Sequence, residues 1–191
     1  MRALLRVYSP ANYTFVLCHL ISCERPMLKA DCEIFANYNG AMNKSIYTCA
    51  AQLDALALEL DRGAFFGSIL GTLNHIMVAD IIWLKRFANH PARFNALQIM
   101  SEFPTPKALN EILYSTLAPL LYQRRALDNI IGAFVQELND EVLASALSYK
   151  NLQGDEIKKN LGFLLLHFFN HQTHHRGQLT TLFSQLGIDV G

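Results

Sequence analysis

Between Asn160 and Gly187 the chain has no proline, and Leu161, Leu164, Leu165, Phe168, Leu179, Leu182, Phe183 and Leu186 recur at spacings of three and four. That rhythm predicts a long amphipathic helix. Three earlier stretches carry a related signal. From Leu28 to about Leu60 the residues Ile34, Phe35, Tyr38, Met42, Ile46, Tyr47, Ala50 and Leu53 are similarly spaced, with Gly40 weakening the middle and Asp61-Arg62-Gly63 forming a turn. From about Ala64 to Asn89 the chain is apolar on nearly every face, with Asn74, His75, Asp80, Lys85 and Arg86 the main exceptions. This segment is expected to be the most buried. A third helix is expected from about Lys107 to Leu138, kinked at Pro119, with Glu111, Gln123, Arg124, Arg125 and Asp128 marking a wet face.

Residues 139–156 are mixed. Val142 to Tyr149 reads as a short extended or helical piece, Asn151 to Gly154 as a turn, and Asp155 with Glu156 as the acidic first turn of the last helix. Four long helices on short to medium connections predict an all-α protein, most economically an antiparallel four-helix bundle.

Composition narrows the class. With 191 residues, 51% of them hydrophobic and 17% charged, the chain can bury one sizeable core and is not disordered. Sixteen Lys and Arg balance 16 Asp and Glu, which gives a nucleic-acid partner no electrostatic support. No apolar run approaches the length of a membrane span.

Residues 1–26 lack helical periodicity. Arg2 and Arg6 ahead of Leu20-Ile21-Ser22-Cys23 loosely resemble a lipoprotein leader, but Asn12, Tyr13 and His19 interrupt its apolar core. The better expectation is a poorly ordered extension over residues 1–32, with Met27 as the working start and the domain proper covering 33–191. Cys18, Cys23, Cys32 and Cys49 contain no C-x-x-C pair and match neither a zinc knuckle nor a disulfide framework. Reduced thiols in a cytoplasm are therefore expected.

The chemistry concentrates on the last helix, where His167, His171, His174 and His175 fall within nine residues. At about 100° per residue, His175 lies inside the apolar arc and His171 at its edge, whereas His167 and His174 lie outside. His171 and His175, one turn apart, can thus point from one face toward whatever the helix packs on. Two imidazoles so placed are half of a transition-metal site, and a third ligand must come from elsewhere. His75 is the sole interior histidine of the second long helix. Because that helix is apolar all round, its wheel does not say where His75 points.

Leu73-Asn74-His75 with Asp80 and Trp83, followed by Asn170-His171-x-x-His174-His175-Arg176-Gly177-Gln178-Leu179, resembles the DinB family (DinB/YfiT-like metal-dependent four-helix-bundle proteins). The likeness covers residues 33–187, with Tyr38-Asn39 and Met42-Asn43 matching the usual opening. It implies a divalent metal, zinc or nickel, held by His75, His171 and His175. It gives His174 and Arg176 no ligand role, assigns Gly177 to close helix contact and places Gln178 behind a ligand.

Three imidazoles leave an open position, as in catalytic rather than closed structural sites. Water there would be acidified, or a thiol would bind as thiolate. The resemblance favours a thiol-dependent S-transferase or isomerase using a low-molecular-weight thiol and a small-molecule substrate. Metal-assisted hydrolysis and a non-catalytic metal-binding stress-response bundle are the alternatives. A homodimer is also implied. Asp80 is expected to be a structural acceptor rather than a general base, and Tyr149 and Asn151 to line a pocket.

Overall fold

The computed structural model describes residues 27–151 and 153–191. Its long helices are α1 (Lys29–Ala50), α3 (Ile69–Ala88), α4 (Leu117–Gln136) and α6 (Leu161–Ser184). Short helices α2 (Ala55–Glu59) and α5 (Asp140–Ala144), a 3-10 turn (Asn95–Ser101) and a hairpin of β1 (Ala146–Lys150) and β2 (Glu156–Asn160) complete the order. The described residues are all-α apart from this antiparallel hairpin, in which Ala146 pairs with Asn160 and Lys150 with Glu156. Among the described residues, no helix is long and apolar enough to cross a membrane.

The four long helices pack in the cyclic order α1, α4, α3, α6. Side-chain partners give their directions. Lys29 reaches Gln136 while Asn43 reaches Asp128, so α1 and α4 run antiparallel. His75 meets His175 while Trp83 meets His167, so α3 and α6 do as well. Phe35 stacks on Phe169 and Asn39 bonds Arg176, which makes α1 and α6 parallel. The parallel pair α3 and α4 is joined by the long connection 89–116, which returns the chain to the other end of the bundle.

The apolar stripe of α6 is buried as its spacing predicts: Leu161, Leu164, Leu165, Phe168, Leu179, Leu182 and Phe183 are all at most 5% exposed. Helix α3 is the most buried element, with 16 of its 20 residues in the core. Phe87 stacks with Phe134 and meets Phe168 edge-on, tying α3 to α4 and α6.

Several boundaries differ from expectation, each for a local reason. The first helix stops at Ala50 because Asp54 caps a new one, accepting from the Ala57 amide at 2.7 Å. Helix α3 starts at Ile69 rather than Ala64. Residues 61–68 form a turn in which Gly67 has φ 72°, and Ser68 caps the helix by accepting from Gly71 N at 2.9 Å. Residues 102–116 are irregular because Asn74 takes over the backbone of Tyr114, donating to its carbonyl and accepting from its amide, each at 2.9 Å. Pro119 therefore sits in the first turn of α4, where its missing N–H forfeits no helical bond and causes no kink.

Asp155 and Glu156 belong to the hairpin rather than to a helix start. The cap of α6 is Asn160, whose side chain accepts from Phe163 N at 3.1 Å. The stretch from Val142 to Tyr149 is helical at one end and extended at the other.

At the other end of the chain, α1 begins at Lys29, and Cys32 is wholly buried within it. Cys32 and Cys49 are free and buried. The expectations for residues 1–26, including Cys18 and Cys23, lie outside the described residues.

Candidate metal centre

His75 is carried by α3 and His171 and His175 by α6, and the antiparallel packing of these helices brings the three rings together. His75 Nε2 lies 3.2 Å from His171 Nε2 and 3.1 Å from His175 Nε2. Among the described residues, this is the one group of His, Cys, Asp or Glu side chains whose atoms can hold a metal ion, all lying within 4.8 Å of one another. His75 and His175 are buried and His171 is half-buried, so the cluster is least covered on the His171 side.

The far nitrogens decide what the near ones can do. His75 Nδ1 is 2.8 Å from the Leu109 carbonyl, which only accepts, so Nδ1–H donates and Nε2 keeps a bare lone pair. His175 Nδ1 is 2.8 Å from Gln178 Oε1, with the same result. Two bare nitrogens 3.1 Å apart repel unless a proton or a cation lies between them.

A proton is disfavoured. Burial, followed by the neighbouring imidazoles, pushes the His175 pKa down to about 4. His171 is pushed well below its ordinary value, again by burial first and then by His175 and His75. His75 is lowered by burial, against an opposing contribution from its bond to Leu109. Zinc–imidazole bonds of about 2.0–2.1 Å in tetrahedral geometry place ligand nitrogens about 3.3 Å apart. The His75 nitrogen need move only about 0.2 Å from each of the other two to reach that spacing, and all three nitrogens lie within 4.8 Å of one another, so the donor set fits a divalent transition metal. The bonds to Leu109 and Gln178 are the orienting contacts expected behind metal-ligating histidines.

Local sequence explains this placement. Asn74 pins the 102–116 segment to α3, which holds the Leu109 carbonyl against the next residue, His75. On the other side Phe66 stacks on the His75 ring, centroids 3.7 Å apart and planes 16° apart, and meets His175 edge-on at 5.5 Å. Phe66 comes this close because Gly71 has no side chain. A Cβ there would lie 2.2 Å from the Phe66 carbonyl oxygen.

Next to the histidines a polar network crosses the bundle. Asp80 accepts from Arg124 and from Gln172 Nε2, the latter at 2.7 Å. Arg124 also pairs with Asp128 at 2.9 Å, and Asp128 accepts from Asn43 at 2.8 Å. Arg176 donates to Asn39 and to Thr173. Two acids and two arginines balance in a region where Asp80 is 1%, Arg124 2% and Arg176 3% exposed. Gln172 and Arg176 each follow a cluster histidine, so the network fixes the rotation of α6 that aims His171 and His175.

Arg124 and Asp128 are thus not on a wet face as expected, and Asp80 is the structural acceptor it was expected to be. Gln178 stands behind His175, as anticipated. Gly177 is exposed, and a Cβ there would have nothing within 4 Å, which removes the close-contact role. His174 is exposed beside His175, while His167 packs on Trp83 instead of joining the cluster. Tyr149 also packs on Trp83, and Asn151 shapes the hairpin turn, its side chain accepting from Asp155 N at 2.9 Å.

The sequence pattern of the DinB family matches residues 27–191. The chain belongs to the DinB family. Protein DinB of Bacillus subtilis (strain 168) is 26% identical over 151 residues, which cover 78% of this chain and 83% of that protein. No solved structure matches the chain. Family membership and the converging histidines together fit a metal-binding DinB-like protein.

Proposed function

We propose that this DinB-family protein is a metal-dependent enzyme that binds zinc or nickel through His75, His171 and His175 and acts as a thiol-dependent S-transferase. One observation carries the reading: two histidine nitrogens stripped of protons by fixed hydrogen bonds face each other at 3.1 Å, with a third at 3.2 Å. A bound divalent ion would supply a Lewis acid that favours the thiolate form of a thiol beside it at neutral pH.

The chain's own residues set the conditions. Leu109 and Gln178 hold His75 and His175 in the right tautomer, Phe66 shields the buried side, and the half-buried His171 side is the approach for a small molecule. Transfer of a thiol sulfur to an electrophile needs no carboxylate base, and the two histidine-bearing helices offer none. Helix α6 has no acid, and the only one on α3, Asp80, is committed to Arg124 and Gln172. This is why S-transfer is favoured over metal-assisted hydrolysis.

Chelator-stripped protein titrated with zinc and with nickel tests the reading. One equivalent should bind and raise Tm, and His75→Ala and His171→Ala should each abolish both effects while His167→Ala leaves them intact. Loss in all three variants, or retention in all three, refutes the assignment. Metal binding without turnover of any thiol and electrophile pair would leave a non-catalytic metal-binding bundle.

A further inference from the structure

A second group of side chains lies along the same α3/α6 seam and takes no part in the histidine cluster. Trp83 meets the ring of His167 at 5.3 Å and that of Tyr149, from β1, at 5.4 Å. The guanidinium of Arg86 packs on both aromatic rings, its Cζ 4.7 Å from the centroid of Trp83 and 4.7 Å from that of Tyr149. His167 leads back to the cluster, 6.3 Å from His171 between ring centroids. The row His171, His167, Trp83, Arg86 therefore runs without interruption from the open side of the three histidines to a cation.

That cation is built like a receptor. Arg86 is half-buried, and among the described residues no acid pairs with it. Its one hydrogen bond is from NH2 to the Lys150 carbonyl at 3.3 Å. Two aromatic rings hold the guanidinium in place, while among the described residues Nε–H and NH1 have no acceptor. A positioned guanidinium edge with unused, partly desolvated N–H donors fits a planar carboxylate. Lys159, which by register shares its face of the hairpin with Leu147, adds positive charge on the same side. The acids of the bundle interior do not compensate, because Asp80 and Asp128 are bound to Arg124.

We propose that Arg86 recognises a carboxylate on the ligand of the histidine cluster, so that this ligand is an elongated organic anion that reaches past half-buried His167 to the guanidinium, with buried Trp83 as the floor beneath both. The inference rests on the metal reading above for the near end of the ligand and stands on Arg86 for the far end. Arg86 follows His75 by about three turns of α3, roughly 16 Å of helix rise. The ligand must therefore span a distance of this order, which excludes a free inorganic anion as the natural occupant.

Trp83 is the only tryptophan in the chain, so its fluorescence reports on this row directly, with or without metal. Metal-free and zinc-loaded proteins are titrated with ω-mercaptocarboxylic acids of increasing chain length and with the matching ω-mercaptoalcohols, following Trp83 emission. Zinc-loaded protein should bind the long acid about tenfold more tightly than its alcohol, and short acids should lose that advantage. In Arg86→Met the acid should bind no better than the alcohol, while the alcohol's Kd stays unchanged. Arg86→Lys should restore part of the preference, and far-UV circular dichroism should show both variants folded.

Equal binding of acid and alcohol by zinc-loaded wild type, or an unchanged preference in Arg86→Met, overturns the proposal. Failure of the metal reading looks different: zinc would not bind or tighten either ligand, whereas the Arg86-dependent preference for acids would persist in metal-free protein. Should Arg86→Met not fold, the wild-type comparison of acid with alcohol decides alone.

Discussion

Two glycines inside helices should respond to alanine with opposite signs. By intrinsic propensity, Gly→Ala in a helix interior stabilises by about 0.8–1 kcal/mol, and the smaller entropy of the unfolded chain is part of the same gain. Gly177 in α6 should show that gain, since a Cβ there meets nothing within 4 Å. Gly71, in the first turn of α3, should not. Its Cβ would lie 2.2 Å from the Phe66 carbonyl oxygen and 3.3 Å from Ser68 Oγ, so the 61–68 turn must retreat by about 1 Å to reach ordinary contact. Forced shifts of this kind cost about 1–3 kcal/mol. The retreat also takes the Phe66 ring off His75 and strains the Ser68 cap.

Net of propensity, and with the strained Ser68 cap adding up to about 1 kcal/mol, Gly71→Ala should destabilise by about 1–2 kcal/mol. For a domain of this size that lowers Tm by roughly 2–8 °C, whereas Gly177→Ala should raise it by roughly 2–4 °C. Thermal melts of metal-free protein followed by circular dichroism read both. A Gly71→Ala variant as stable as wild type would refute the claim that backbone contact, not chance, keeps glycine there and seats Phe66 on the metal centre.

Two other perturbations test the surroundings of the site. Asp80→Ala leaves Arg124 buried with only Asp128 as a counter-charge, and should cost about 3 kcal/mol in urea unfolding with no change in m; a loss under about 1 kcal/mol would show that the network is dispensable. For pH, the native pKa of His175 is about 4 against an unperturbed 6.5, so between these values the unfolded chain binds a proton that the native site refuses. Stability of the metal-free protein should therefore be independent of His175 above pH 6.5. It should fall by about 1.4 kcal/mol per unit below that, for a total near 3 kcal/mol at pH 4. Wild type and His175→Gln compared in urea at several pH values would show it, and parallel curves for the two proteins would contradict it.

Helix α6 was legible from sequence because its apolar stripe has one phase, and that phase also singled out His171 and His175. His75 was not legible from periodicity. With α3 buried on nearly every side, no wheel could aim it, and only the family resemblance paired it with the other two. The polar network was missed because Arg124, Asp128 and Arg176 look like ordinary surface residues one at a time. Their spacing was the available signal: Asn39 with Asn43, Arg124 with Asp128, and Gln172 with Arg176 are each one turn apart, as are His171 and His175.

The hairpin was misread because Asp155-Glu156 mimics a helix start, whereas the cap that forms is Asn160. Phe66 gave no sign of its place. Its position follows from a backbone contact at Gly71, which becomes visible only once the turn is folded.

X-ray absorption at the zinc edge of reconstituted protein tests the central claim most directly. Three imidazole nitrogens at about 2.0–2.1 Å with one further light ligand are predicted, falling to two imidazoles or to no bound zinc in His75→Ala. A spectrum with fewer than three imidazoles in the unmodified protein, or one that His75→Ala leaves unchanged, would contradict it.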